Sequence, residues 1–203
     1  MNKVDYKKEM KHLFNPPRDE FSFVDVPEMN FLMIDGQGDP NKEPAYQEAV
    51  EALYAVSYAV KFELKGQGFD YVVPPLEGLW WAQDMSAFDR EEKDKYIWTM
   101  MIMQPEQVTL ELVERLLPEV KRKKGLASLE RLRLENYHDG LSVQIMYIGS
   151  YADEGPTISQ MHTFIKDVGF EPAGKHHEVY LGDPRRTAPE KLKTVIRQPV
   201  RER

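Results

Sequence analysis

The sequence contains no cysteine, which excludes disulfides, thiolate nucleophiles and cysteine-based zinc or iron–sulfur sites and is consistent with a reducing compartment. It also lacks any run of about eighteen apolar residues, the length a membrane-crossing helix needs, so no membrane partner is expected. The start, Met1-Asn2-Lys3-Val4-Asp5 and on to Lys11, alternates charges and has neither the apolar stretch nor the small-residue cleavage site of an export signal. The expectation is a cytoplasmic protein. Positive charge is in deficit too. The formal net charge is -7, and affinity for nucleic acid comes largely from lysine and arginine displacing condensed counterions, so no direct nucleic-acid partner is expected. The one basic cluster, Lys121-Arg122-Lys123-Lys124, falls at the C-terminal end of a predicted helix, where cations complement the helix dipole. No Walker loop, GxGxxG, GxSxG or HExxH occurs. Nucleotide-binding, serine-hydrolase and zincin readings drop out, and no cofactor is implied.

What is present is globular composition, 41% hydrophobic and 30% charged over 203 residues, enough for a real core in one compact domain with internal duplication. Phe21 to Val26 and then Met29 to Ile34 after Pro27 read as the first strand, punctuated by Gly36 and Gly38. From Pro44 the apolar residues recur at helical spacing as far as Gly66 and Gly68. Tyr71-Val72-Val73, Leu79-Trp80-Trp81-Ala82 and Tyr96 to Met103 are rich in aromatic and β-branched residues and read as strands. A second helix is predicted over Thr109 to Lys124, with Leu110, Val113, Leu117 and Val120 on one face and a kink or early break at Pro118. Arg131 to Tyr137 and Leu141 to Ile148 are expected to pair across His138-Asp139-Gly140. A helix from about Thr157 to Val168, capped by Gly169, and strands at Glu178 to Leu181 and Leu192 to Val200 complete an α+β fold.

The order repeats. Ile34-Asp35-Gly36 before one helix resembles Tyr147-Ile148-Gly149 before another, and Gln104-Pro105 closes a strand as Gln198-Pro199 does. A strand-helix-strand-strand unit thus occurs twice, in modules of about 1–124 and 125–203. The strand ending in Trp80-Trp81 corresponds to the one carrying Glu178 and Tyr180, and interfaces between such repeats are common places for ligand pockets.

His176-His177-Glu178 invites a metal reading, but neighbours on a strand point to opposite faces, and no third ligand stands at suitable spacing. No metal is expected. Glu178 lies among Val179, Tyr180 and Leu181, where a carboxylate must be desolvated and paired or else kept for function. Two readings stay open, an ion pair with Arg185, Arg186 or a lysine, and a functional carboxylate sharing its face with His176 and Tyr180. The tryptophans Trp80, Trp81 and Trp98 read as core packing or as aromatic walls that suit flat or cationic molecules beside a carboxylate. Met101, in the run Met100-Met101-Ile102-Met103, either fills the core or lines an adaptable pocket. Asp183-Pro184-Arg185-Arg186-Thr187 reads as a structural turn with solvent-facing arginines.

Val24 to Gly36, Pro75-Leu76-Glu77-Gly78-Leu79-Trp80-Trp81 and Gly174 to Arg186, continued by Ala188 to Thr194, resemble stand-alone GyrI-like proteins, and the resemblance covers nearly the whole chain. It implies two strand-helix-strand-strand modules related by a pseudo-twofold axis with a ligand cleft between them. In relatives this domain is the effector-binding part of multidrug-responsive transcription regulators, and a glutamate matching Glu178 recognises cationic or planar ligands. Some stand-alone members hydrolyse the cyclopropane of spirocyclopropyl-dienone DNA alkylators and so detoxify them. By that resemblance Glu178 orients or deprotonates the attacking water, Trp80, Trp81, Trp98, Met101, His176 and Tyr180 contact the ligand, and a hydroxyl donor aids the forming phenolate. One departure concerns chemistry. Relatives read His-x-Gly-Pro-Tyr where this chain has Tyr147-Ile148-Gly149-Ser150-Tyr151, and Tyr147 donates a hydrogen bond but is a poor base near neutral pH. The alternative is a non-catalytic drug-binding module, or one that engages gyrase or another protein partner, which nothing in the residues indicates.

Overall fold

The computed structural model describes residues 3–84 and 92–203. In chain order it contains α1 (Tyr6–Glu9), α2 (Lys11–Phe14), β1 (Ser22–Val26), β2 (Met29–Gln37), α3 (Pro44–Gly66), β3 (Leu76–Trp81), β4 (Ile97–Gln104) and α4 (Leu110–Lys124). β5 (Arg133–Tyr137), β6 (Gly140–Ile148), α5 (Gly155–Asp167), β7 (Phe170–Pro172), β8 (His176–Tyr180) and β9 (Lys193–Glu202) follow. The fold is α+β.

Two compact units form, one from the N-terminal segment to Tyr6 with Met29–Tyr137, the other from Lys7–Glu28 with His138–Arg203. Within the first the antiparallel order is β3-β4-β2-β5, and within the second it is β8-β9-β6-β1. These share one topology, strand-helix-strand-strand plus one added strand at the end of the order, and in the second unit β7 also pairs with the end of β9. The two sequence echoes fall on equivalent ladder positions. Asn30 pairs with Gln104 as Val143 pairs with Gln198, and Ile34 with Met100 as Tyr147 with Thr194. On that register Glu178, opposite Ile196, matches Leu76, opposite Ile102, and Tyr180 matches Gly78.

In the first unit α3 buries Ala49, Leu53, Val56, Val60 and Leu64 at helical spacing, and Tyr46 from its first turn meets Trp98 edge-on at 5.4 Å. Gly36 is needed there. A Cβ on it would lie 2.0 Å from the Trp98 indole. The opposite sheet face carries Phe31, Met33, Leu79, Met101 and Met103. In the second unit Val143, Ile145, Ile196 and Val200 pack against Met161 and Ile165 of α5.

Five local expectations are corrected. The predicted first strand is two strands, split at Pro27-Glu28, with β1 pairing β6 and β2 pairing β4 and β5. Tyr71-Val72-Val73 forms only an isolated bridge from Tyr71 to Val4, ahead of two prolines that cannot donate to a ladder. α4 does not break early at Pro118 but continues to Lys124, with Pro118 and Glu114, the residue one turn before it, both on the exposed face. Leu110 is 54% exposed instead of joining the buried stripe of Leu112, Val113 and Val120. Finally, β5 and β6 do not form a hairpin. The Asp139 side chain of the supposed turn is enclosed and bound by His177 Nδ1 at 2.6 Å, a contact across 38 residues that outweighs local turn preference.

Candidate functional site

β8 alternates as a strand must. His176, Glu178 and Tyr180 share the sheet face on which Ile196 packs toward α5, while His177 and Val179 point the other way. Glu178 is 8% exposed, and both of its oxygens are bonded: Oε1 lies 3.1 Å from His176 Nε2, and Oε2 accepts from the Tyr180 hydroxyl at 2.7 Å. No arginine or lysine among the described residues bonds it. The ion-pair reading is thereby removed, since Arg185 turns back onto Asp183 at 3.0 Å and, like Arg186, is solvent-exposed. The Arg185 guanidinium holds the Asp183 carboxyl below the usual carboxylate range. The segment from Asp183 is the structural turn expected, closed by bonds from the Arg186 and Thr187 amides to the Asp183 carbonyl.

Around Glu178 the face is aromatic and hydroxylic. Tyr151 meets Tyr180 edge-on at 5.4 Å. In register across three strands stand Tyr180, Thr194 and Tyr147. Tyr147 donates to the Ser150 carbonyl at 3.0 Å and folds over Gly149, where a Cβ would stand 2.4 Å from its hydroxyl oxygen. Burial, with the nearby Glu154 and Asp153, raises its pKa. Sequence reasoning missed Thr194. Its hydroxyl is fully buried without a hydrogen-bond partner among the described residues, and so is Nδ1 of His176. Strand alternation puts Thr194 on this face, but nothing local marks its hydroxyl as unbonded.

The other face of the same strands holds a second polar cluster that sequence reasoning missed. His177 bonds Asp139, whose other carboxylate neighbour is Arg197 at 3.7 Å, and Arg197 donates to the Leu13 carbonyl and to Gln144. Their side chains are all buried. At the equivalent ladder positions the first unit has Phe31 and Met103 in place of Gln144 and Arg197.

The remaining candidates belong to the first unit. Trp80 and Trp98 lie on its α3 face with Tyr46, at 6.1 and 5.4 Å between ring centroids. Trp81 and Met101 lie on the opposite face, Trp81 half-buried and Met101 fully buried. Met100 and Met103 are also core. Among the described residues no three metal-ligating side chains converge, and no helix is long and apolar enough to cross a membrane.

A duplicated α+β fold whose sheet face buries a carboxylate between an imidazole and a phenol has the layout of a small-molecule-binding domain. The comparisons specify which. The family of GyrI-like small molecule binding domains matches residues 19–201. An uncharacterized conserved protein from Listeria innocua is 41% identical, covering 98% of this chain and all 100% of its own, with TM-score 0.90. A hydrolase from the same organism is 40% identical with the same coverage, 98% and 100%, and TM-score 0.87. The C-terminal domain of EcmrR shares the fold at TM-score 0.56 and 10% identity, covering 91% of this chain and 98% of that one. No curated protein matches. The chain belongs to the GyrI-like family of small-molecule-binding domains.

Proposed function

We propose that this protein binds planar or cationic aromatic compounds in the cytoplasm and inactivates electrophilic ones by hydrolysis, cyclopropanoid DNA alkylators being the substrate class. The observation that carries this reading is Glu178: a buried carboxylate that no arginine or lysine among the described residues neutralises, bonded instead by His176 and Tyr180 on a face shared with Tyr147 and Thr194. Burying such a group is costly unless it is used. Support for hydrolysis comes from the Listeria innocua proteins named hydrolases at 39% and 40% identity.

In the proposed reaction Glu178 directs the proton of an attacking water. A carbon–oxygen bond forms at the cyclopropane methylene, a ring carbon–carbon bond breaks, and its electron pair passes to the dienone oxygen as a phenolate. Thr194 supplies a hydroxyl donor on that face, the Tyr180 hydroxyl being committed to Glu178. Among the tryptophans, Trp80 stands on the helix-bearing face of its own sheet, as Glu178 does on the other.

A second reading has its own observation. Tyr147, in the position of the relatives' histidine, spends its hydroxyl on the Ser150 carbonyl and is held protonated by burial, which favours binding without turnover. Incubation with a spirocyclopropyl dienone followed by product analysis separates the two. Ring-opened hydrate above the buffer rate supports the enzyme, and saturable tryptophan quenching without product supports the binder. Neither outcome, with the protein folded, contradicts both.

A further inference from the structure

We infer that Nδ1 of His176, not Glu178, is the proton acceptor that meets the nucleophilic water, and that Glu178 is the positioning residue behind it; this rests on the hydrolytic reading above. An ionised carboxylate only accepts hydrogen bonds, so the 3.1 Å contact to Oε1 places a proton on Nε2 of His176. The second oxygen of Glu178 is occupied by the Tyr180 hydroxyl at 2.7 Å. Both carboxylate oxygens thus hold donors, whereas Nδ1 is buried with no partner among the described residues. His176 is 7% exposed, and Nδ1 is left inside that enclosure without a protein partner among the described residues. An imidazole whose Nε2–H is held by a carboxylate and whose other nitrogen is unbonded is arranged to take a proton at that nitrogen. Water gives its proton to Nδ1 as its oxygen bonds the electrophilic carbon. The displaced electron pair goes to the acceptor oxygen of the substrate, Glu178 steadies the imidazolium, and Nδ1 then returns the proton to that oxygen.

The test joins a tautomer measurement to turnover. Long-range nitrogen–proton NMR of imidazole-labelled protein, with His176→Asn to assign the signal, is expected to show the neutral Nε2–H form. An Nδ1–H form overturns the assignment. With a spirocyclopropyl dienone as probe, His176→Asn and Glu178→Gln are each expected to slow ring opening about 10²-fold or more, and the double variant no further, while tryptophan quenching and the melting profile persist. His176→Asn within twofold of wild type overturns the role of Nδ1 and leaves the hydrolytic reading standing. Absence of turnover in wild type, with the protein folded, contradicts the hydrolytic reading and with it the role of Nδ1, whichever tautomer is found.

Discussion

At the scale of single residues the site leaves neither Glu178 oxygen unbonded, while the Thr194 hydroxyl stands without a partner among the described residues. Tyr180→Phe removes the hydroxyl that Glu178 Oε2 accepts and leaves the ring in place. Loss of a hydrogen bond to a buried charged group is expected to lower stability by about 1–3 kcal/mol, read as a shift in the urea midpoint at unchanged slope. Tyr147 and Tyr71 make a pH prediction. Burial raises the pKa of both hydroxyls. The unfolded chain therefore loses these protons first, near the ordinary tyrosine pKa of about 10. The stability they confer is complete below that pH and is lost as pH rises from it toward the folded values. Tyr147→Phe should flatten the alkaline fall in urea-unfolding free energy, and an unchanged slope contradicts its burial. Strand alternation made the shared face of His176, Glu178 and Tyr180 legible in the sequence. The partners of Glu178 were not, because choosing imidazole and phenol over Arg185 depends on where the turn at Asp183 sends the arginines.

At the scale of elements, the three long helices were read to within about two residues, since apolar spacing and capping are local, whereas the four-residue α1 and α2 carry too little periodicity to be read. Thr109 accepts from the Leu112 amide at 3.2 Å, so Thr109→Ala should cost about 0.5–2 kcal/mol and lower the melting temperature. Strand partners were less legible. His138-Asp139-Gly140 carries a short-range hairpin signal, yet Asp139 is claimed by His177 and Arg197 from distant strands, so β5 joins β2 and β6 joins β9. Asp139→Ala leaves an arginine and a histidine buried without that carboxylate and should destabilise by about 3–5 kcal/mol in chemical unfolding. A cost below about 1 kcal/mol contradicts the view that this cluster fixes the strand order.

At the scale of the whole molecule the duplication was legible because Gln104 and Gln198 hold equivalent ladder positions, although β9 does not close at Pro199 as expected but runs on to Glu202. The exchange of β1 and β5 was hidden, since consecutive strands are ordinarily neighbours and these are not. The charge of -7 and the engagement of Lys121, Lys123 and Lys124 with Glu130, Glu119 and Glu51 argue against a phosphate-binding surface. A mobility shift at moderate ionic strength should show no sequence-dependent complex. Glu178 is proposed to organise hydrolysis and not binding alone. The direct measurement is the ring-opening rate of a spirocyclopropyl dienone with wild type and Glu178→Gln, beside tryptophan quenching by the same compound. Loss of a group that governs proton transfer costs about 10² to 10⁴ in rate with affinity largely kept, and that split is the predicted result. Equal rates for the two proteins contradict the account.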